Sequence, residues 1–371
     1  MKLMLNCRDT TIICDPLLSE YGPLRPVVLI AEKIKEKDKQ ITIVSTTISA
    51  KMQARFASMD INTVNLHKDP LLKKNESIAW MEEWMKEAIF FMNSRGVARF
   101  DGVVLNFSNT ICLPSHVWYA QGPPTVTLDN MRNNLPLHYK LGYLSLSPLL
   151  KTCDKIFTTR IANCSQKIVA NSKYLASIYQ NKFGVHVNNV IYPPLDCEQF
   201  KPSTGRPSED FVLTYFGKET IFALVRQVLD TGIKVKAFGG KLSMIPKKVR
   251  DHTNLEFLGR VDDNKLIDLY SNALFTFYPF TDEPFGYIPI ESLACGTPVL
   301  TLNKQGPKET ISNGTTGWLA NDEVELLRLA AQVWKESYSR TLRKNCRQRA
   351  LKFDANNIAK EWKALLNDIH N

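Results

Sequence analysis

Short apolar runs alternate with amphipathic segments along the whole chain, a pattern typical of parallel strands covered by helices. In the first half, Trp80, Trp84, Ala88 and Phe91 recur at helical spacing and predict a core-facing helix from Trp80 to Met92. The strands predicted in this half are Thr42–Ser45, Gly102–Phe107, Thr125–Leu128 and Lys167–Asn171.

A proline-rich segment, residues 193–210, separates this series from a second one. Four prolines and a glycine there predict a linker between two domains. The strands predicted beyond it are Phe211–Phe216, Lys234–Phe238, Leu255–Leu258, Leu274–Tyr278 and Pro298–Leu302, and the closing helices are Glu323–Glu336, Ser339–Lys352 and Asn356–Ile369. We therefore predict an α/β protein with two doubly wound, Rossmann-like domains.

The strongest candidate chemistry lies in residues 283–300, which read EPFGYIPIESLACGTPVL. Pro289 suits the first turn of a helix, Gly296 suits its C-terminal cap, and Pro298 prevents the helix from continuing. The pattern places Glu283 on a loop and Glu291 within a short helix.

Two carboxylates in this arrangement suit a sugar nucleotide, because a carboxylate accepts two hydrogen bonds and matches a vicinal diol. We expect Glu291 to hold a ribose and Glu283 to face the transferred sugar. The backbone N–H groups of Phe285, Gly286 and Tyr287 would lie at a helix N-terminus, which favours a diphosphate or a sugar oxygen. An ordinary surface loop leading into an amphipathic helix is the alternative.

The segment resembles the signature of the retaining group 1 glycosyltransferases with GT-B architecture, in which two glutamates separated by seven residues precede a small-residue helix end and a Thr-Pro-Val strand. The resemblance implies two domains facing across a cleft, which we place at residues 1–195 on the acceptor side and 196–355 on the nucleotide-sugar side. It also implies that the closing helix, residues 356–371, packs back on the first domain. Trp362, Leu365 and Leu366 would form its docking face, although the sequence equally allows packing on the second domain.

Three further stretches, Ile168–Lys173, Val190–Asp196 and Phe200–Pro202, look like the run that leads into the linker in these enzymes. Phe257–Val261 is similar to the strand end whose backbone meets the nucleobase in the family. The resemblance therefore implies a donor-binding role for Arg260 and Val261.

The phosphate-binding region departs from the family pattern of Gly-Arg followed by a lysine. Gly217 and Lys218 match the first part, while Arg226 matches the second cation only if the helix is displaced. Lys218 opens a helix at the expected phosphate site and is expected to act in catalysis and in donor binding, with a solvated surface charge as the alternative.

Two first-domain positions are weaker candidates. Gly22, in the turn after the first strand, would admit close approach to the donor or acceptor, or would simply form a turn. His116 is a candidate catalytic residue near the transferred sugar, with a structural histidine as the alternative and Gln121 as the second choice.

Composition excludes several classes of protein. The chain has 371 residues and a net charge of +10, but the basic excess is spread over both halves and does not predict nucleic-acid binding. Eight dispersed cysteines, without metal-ligand spacing, predict reduced structural thiols in a cytoplasmic protein. Residues 1–6 are too short and too polar for a signal peptide, and no apolar run reaches the length of a membrane span.

We therefore expect a retaining transferase that moves a hexose from a nucleotide sugar, such as a UDP-sugar, to an acceptor hydroxyl of a saccharide or lipid-linked saccharide. No Asp-x-Asp occurs in the chain, so neither a metal nor another cofactor is expected. Peripheral contact with the inner membrane face stays open, because residues 135–144 are rich in Leu and Tyr. The alternatives are a GT-B nucleotide-sugar epimerase and a catalytically silent GT-B partner subunit.

Overall fold

The computed structural model describes residues 10–18, 24–36, 40–68, 70–72, 76–97, 100, 102–134, 137–240 and 245–370. The chain divides into two compact units. The first comprises the described residues of Met1–Val126, Ser145–Pro194 and Ile358–Asn371, and the second comprises those of Thr127–Leu144 and Leu195–Asn357. Thr127–Leu144 thus belongs to the second unit, although it lies within the segment predicted for the first domain.

The first unit is built on a seven-stranded sheet in which all recorded pairings are parallel. Its strands are β1 Thr10–Ile13, β2 Ile41–Ser45, β3 Asn62–Asn65, β4 Val103–Asn106, β5 Ser115–Ala120, β6 Ser165–Ala170 and β7 Asn189–Val190. Its helices are α1 Arg25–Ile34, α2 Ala50–Ser58, α3 Glu76–Phe90 and α6 Lys173–Ile178, while α4 Pro124–Met131 and α5 Leu137–Asn163 run across the unit boundary. The strand order is β3-β2-β1-β4-β5-β6-β7, so the winding direction reverses between β1 and β4.

The second unit repeats this plan with a six-stranded parallel sheet. Its strands are β8 Val212–Tyr215, β9 Val235–Phe238, β10 Leu255–Gly259, β11 Thr276–Tyr278, β12 Val299–Leu302 and β13 Gly317–Ala320. Its helices are α7 Phe222–Asp230, α8 Lys247–Arg250, α9 Asp263–Asn272, α10 Tyr287–Ala294, α11 Pro307–Thr310, α12 Glu323–Glu336 and α13 Thr341–Ala350. The order β10-β9-β8-β11-β12-β13 reverses between β8 and β11. In open sheets of this kind, ligands bind outside the carboxyl ends of the strands at such a reversal.

The last helix, α14 Ala355–His370, packs mainly on the core of the first unit. Trp362 is 0% exposed, and its ring centroid lies 5.2 Å from that of Phe107 and 5.3 Å from that of Tyr119. Leu365 is buried in the same cluster and Leu366 packs against it. An indole, which buries a large apolar surface, thus anchors the end of the chain to the first sheet.

Two predictions about single elements are wrong. Thr125–Leu128 lies in α4, not in a strand, because Pro124 at the first helical position has the backbone angle that a helix start requires. The strand of this region is β5, which precedes the proline pair. Trp84 and Ala88 are buried on α3 as predicted, but Phe91 lies beyond the end of that helix and is exposed.

Among the described helices, none is both long and apolar enough to cross a membrane.

Candidate active site

The loop and helix of residues 283–296 have the local structure that the sequence predicts. Gly286 precedes α10 with a φ of 104°, in the left-handed region that favours glycine, and Pro289 lies in the first turn. Gly296, with a φ of 80°, follows the helix end. The first N–H groups of α10 have no partner within the helix and point out of its N-terminus, together with the positive end of its dipole.

Glu283 follows β11, at the point where the winding of the second sheet reverses. Its Oε2 accepts a hydrogen bond from the Tyr278 hydroxyl at 2.5 Å, and its Oε1 accepts the Phe285 N–H at 3.3 Å. Burial, with smaller contributions from the charges of Glu219 and Asp282, raises the pKa of Glu283 to about 7, although the two hydrogen bonds oppose the shift. The carboxyl group thus titrates close to neutral pH.

Glu291 lies one turn from the end of α10 and is 2% exposed. Its Oε2 accepts a hydrogen bond from the Tyr270 hydroxyl at 3.0 Å. Both signature glutamates act on Tyr215, at the end of β8, because burial and then the charges of Glu219, Glu283 and Glu291 raise the pKa of that phenol. The two carboxylates therefore converge on the carboxyl end of β8.

Gly217 and Lys218 form the turn that leaves β8. A Cβ on Gly217 would collide with the Tyr215 ring and the Glu219 carboxylate, so a larger residue would have to displace these side chains. The Gly217 N–H donates to Thr220 Oγ1 at 2.9 Å, which fixes the turn, and the Lys218 side chain is exposed. Lys218 therefore offers a positive charge beside the sheet reversal. Arg226, the second cation considered, pairs with Asp230 on the exposed side of α7.

Arg260 and Val261 follow Gly259, the last residue of β10, whose φ is 69°. The Arg260 side chain passes over Gly240 at the end of β9, where any Cβ would collide with its guanidinium. The same guanidinium lowers the pKa of Tyr215 and so opposes the surrounding carboxylates. Arg260 thus lies on the same edge of the sheet as Glu283 and Glu291.

His116, predicted as a candidate catalytic residue with a structural histidine as the alternative, has a contact that fits the structural alternative. The residue lies at the start of β5, at the amino end of the first sheet, whereas ligands bind at carboxyl ends. Its Nδ1 accepts the Val104 N–H at 3.0 Å, which is a structural contact between neighbouring strands. Gln121, the second choice, follows β5 at the carboxyl end and donates to the Phe107 carbonyl at 3.1 Å. Gly22 lies outside the described residues.

Phe285 and Tyr287 pack against each other, and their backbone N–H groups lie at or just before the start of α10. Phe285 is buried, and its ring contacts the rings of Tyr287 and Phe353. Gly306 packs closely against this loop. Its N–H donates to the Glu283 carbonyl at 3.0 Å, and a Cβ at this position would collide with the Phe285 backbone.

The side chains that hold the two glutamates were not predicted from the sequence. Tyr278 and Tyr270 donate to Glu283 and Glu291, and Gln305 accepts the Glu283 N–H at 2.6 Å. Tyr278 ends β11, five residues before Glu283, so its position on the predicted strand was a usable signal. Tyr270 and Gln305 come from distant segments that only folding brings to the site.

Residues 240–353 match the family model described as "Glycosyl transferases group 1". "Alpha-1,3/1,6-mannosyltransferase ALG2" of Dictyostelium discoideum is 23% identical over 274 residues, covering 54% of this chain and 64% of the relative. "GDP-Man:Man(3)GlcNAc(2)-PP-Dol alpha-1,2-mannosyltransferase" of Mus musculus is 23% identical over 275 residues, covering 62% and 56%. The chain therefore spans less than two thirds of the length of these curated relatives.

The fold is similar to that of Anabaena Alr3699/HepE, solved in complex with UDP, with a TM-score of 0.68 and 14% identity over 97% of this chain and 100% of that one. The two parallel sheets with their covering helices are thus those of the GT-B fold. Residues 240–353 are thus similar to the group 1 glycosyltransferases, and the chain as a whole has the fold of such proteins.

Proposed function

We propose that this protein transfers a mannosyl residue from GDP-mannose to a hydroxyl of a lipid-linked saccharide, with retention of anomeric configuration. One observation carries the proposal. Glu283, Glu291, Arg260 and the N-terminus of α10 lie together at the carboxyl edge of the second sheet, with Lys218 at the reversal between β8 and β11.

Each group has a separate task in this proposal. Glu291 accepts the two ribose hydroxyls, while Glu283 orients the sugar beside the reacting carbon. Lys218 and the α10 amides stabilise the diphosphate as it leaves, where negative charge develops. The amides and cation supply this stabilisation, so transfer without a divalent metal is part of the proposal. The leaving phosphate accepts the proton of the attacking hydroxyl on the same face of the sugar.

The donor is proposed from the relatives, since both curated relatives named above are mannosyltransferases by name and one carries GDP-Man in its name. The structural neighbour was solved with UDP, so a UDP-sugar is the second donor to test.

The acceptor is proposed from helix α5. Leu137, Leu141 and Leu144 are exposed at helical spacing, and the same face continues through the exposed Lys151 and Lys155. An apolar stripe followed by basic side chains suits an anionic lipid surface. The mouse relative also names a dolichyl-linked glycan, Man(3)GlcNAc(2)-PP-Dol.

The test incubates the full chain with radiolabelled GDP-mannose or UDP-glucose and a short-chain polyprenyl diphosphate disaccharide, with and without excess EDTA. We expect label in the lipid product from GDP-mannose in both conditions, an α-linkage by NMR, and a loss of several orders of magnitude in Lys218→Ala. Glu256→Gln, on the exposed face of β10, is the matched control that keeps activity.

Other outcomes would reject specific parts of the proposal. Transfer only from UDP-glucose would overturn the donor, a β-linkage would overturn retention, and restoration by Mn²⁺ after chelation would overturn the phosphate site. An epimerised nucleotide sugar without transfer would support the epimerase alternative, and an unchanged donor would support the silent subunit.

A further inference from the structure

Cys112 and Cys164 lie in the first unit, on neighbouring segments at the amino end of its sheet. Cys112 precedes β5 and Cys164 directly precedes β6, its paired neighbour. The Ser115 N–H donates to the Cys164 carbonyl at 3.1 Å, and the hydroxyls of Ser115 and Ser165 lie 2.9 Å apart. These contacts hold the two Sγ atoms 3.5 Å apart.

The two thiols differ in access. Cys164 is half-buried and lines a cavity of about 430 Å³ together with Leu113, His116 and Gln166. Cys112 is 8% exposed and lies behind it. A small polar oxidant can therefore reach Cys164 first.

Arg160 supplies the positive charge of this cluster. Its Nη2 pairs with the buried Glu87 carboxylate at 3.1 Å, while its Nε and Nη1 are buried and have no hydrogen-bond acceptor among the described residues. The hydrogen bond between the two thiols lowers the pKa of Cys164, Arg160 lowers it further, and burial and Glu87 oppose the shift. Cys112, by contrast, has a raised pKa because of Cys164 and of burial. The more accessible Cys164 therefore suits the role of the attacking cysteine and the buried Cys112 that of the resolving cysteine, and the opposite directions of their pKa shifts agree with this division.

We propose that Cys164 and Cys112 form a peroxide-reactive dithiol that closes reversibly to a disulfide. The Cys164 thiolate attacks one oxygen of a hydroperoxide, the O–O bond breaks, and Cys164 becomes a sulfenic acid while hydroxide, or an alkoxide, leaves and takes a proton. Cys112 then attacks the Cys164 sulfur, the S–O bond breaks, and water leaves with the Cys112 proton. In total, two thiols and one hydrogen peroxide give one disulfide and two waters. A dithiol reductant reverses the reaction by thiol–disulfide exchange.

The oxidised form joins the segments before two adjacent strands, 52 residues apart in the chain. A cross-link that closes such a loop restricts the unfolded chain more than the folded one. The oxidised protein should therefore melt several degrees higher than the reduced protein.

The test treats the full, reduced chain with stoichiometric hydrogen peroxide, blocks remaining thiols with iodoacetamide, and identifies peptides by mass spectrometry. We expect a Cys112–Cys164 bridged peptide that dithiothreitol removes, formed at least tenfold faster than any modification of Cys153. Cys153 is the internal reference because it is a buried thiol on α5 whose pKa is raised by burial. A Cys164 modified without the bridge, or modified no faster than Cys153, overturns the proposal.

Variants separate the two roles. In Cys112→Ser, a dimedone probe should trap sulfenic acid on Cys164, whereas Cys153→Ser should still form the bridge at the wild-type rate. Absence of dimedone labelling in a Cys112→Ser protein with a wild-type melting profile would overturn the assignment of Cys164 as the attacking thiol. The wild-type bridge itself tests the proposal without any variant.

Discussion

Glu283 and Glu291 occupy different environments although eight positions separate them. Glu283 lies on a loop, accepts hydrogen bonds from a phenol and a backbone N–H, and has two further acids near it. Glu291 lies inside α10, where Tyr270 donates to one of its oxygens. The first carboxyl group therefore titrates near neutral pH, while the second accepts a hydrogen bond from the Tyr270 hydroxyl.

Glu291→Gln should weaken binding of GDP. The amide keeps the size of the side chain but loses an acceptor for the ribose diol, which costs about 1–3 kcal/mol, or about 5- to 150-fold in Kd. Isothermal titration calorimetry on the full chain measures the change. Tyr270→Phe is the matched variant, which should lose less because it removes only the orienting hydroxyl. An unchanged Kd in Glu291→Gln would rule out the ribose assignment.

Glu283 should make stability decrease as the pH rises. Its pKa is about 7 in the folded protein and near the ordinary value of a glutamic acid when unfolded, so between those values the folded state binds more protons and loses stability with each pH unit. Above pH 7 the loss is complete. At pH 8, Glu283→Gln should therefore exceed the wild type in free energy of unfolding by on the order of 1–3 kcal/mol and should melt at a higher temperature. At pH 4.5 the two proteins should melt at similar temperatures.

Thermal melts from pH 4.5 to 8.5 test this dependence. Glu256→Gln, an exposed acid of β10, is the control and should give the same difference from the wild type at every pH. A constant difference for Glu283→Gln would show that burial does not raise the pKa of this carboxyl group.

Single residues also show how far the sequence could predict the site. The glutamate pair and the three glycines at 217, 286 and 296 were predictable, because spacing and helix caps are local properties. The roles of Tyr270 and Gln305 were not, because they depend on contacts between segments far apart in the chain. For His116 the limit was different, because no strand was predicted at residues 115–120 and the place of this residue at the amino end of β5 could not be located.

At the scale of elements, α10 is the part of the site that depends most on one backbone conformation. Its start is set by Gly286, whose positive φ turns the loop so that the N-terminal amides face out. A Cβ there would lie 3.1 Å from Pro289 Cγ. The direction of the helix and the orientation of the amides that we propose to bind the phosphate are thus linked through one glycine.

Gly286→Ala should reduce both stability and GDP binding. The left-handed conformation costs an alanine about 1–2 kcal/mol, and the crowding by Pro289 shifts the first turn of α10. Gly314→Ala is the matched control, because Gly314 also has a positive φ but a Cβ there would meet nothing within 4 Å. Melting profiles should show a loss for both variants, and calorimetry a weaker Kd for Gly286→Ala alone. Equal Kd values in the two variants would contradict a role for the α10 amides.

Element type was predictable wherever periodicity was strong. The helix predicted at Glu323–Glu336 is α12 with the same bounds, and β8 to β12 all fall at predicted strands. The strand predicted at Thr125–Leu128 is wrong. The β-branched residues there favour a strand, but Pro124 fixes the backbone angle that a helix start requires. Edge strands such as β3 were missed because their polar residues carry no apolar run.

At the scale of the whole molecule, α5 connects residues of both units and exposes one continuous face. Leu137, Leu141 and Leu144 give way along this face to Lys151 and Lys155, and the chain carries a net charge of +10. Apolar side chains gain energy by entering the interface of a bilayer, and each basic side chain near an anionic surface adds about 1 kcal/mol. We therefore predict that the full chain binds anionic vesicles through α5.

Sedimentation with phosphatidylserine-containing vesicles tests this prediction against vesicles of phosphatidylcholine alone. A triple change of Leu137, Leu141 and Leu144 to Ser should reduce binding at least tenfold, and Lys151→Gln with Lys155→Gln should reduce it about 30-fold at low salt, since two charges contribute about 2 kcal/mol. Val324→Ser with Leu351→Ser, both exposed apolar residues of the second unit, is the matched control and should bind as the wild type does. If all variants bind equally, the attraction comes from net charge spread over the surface, and α5 has no special part in membrane binding.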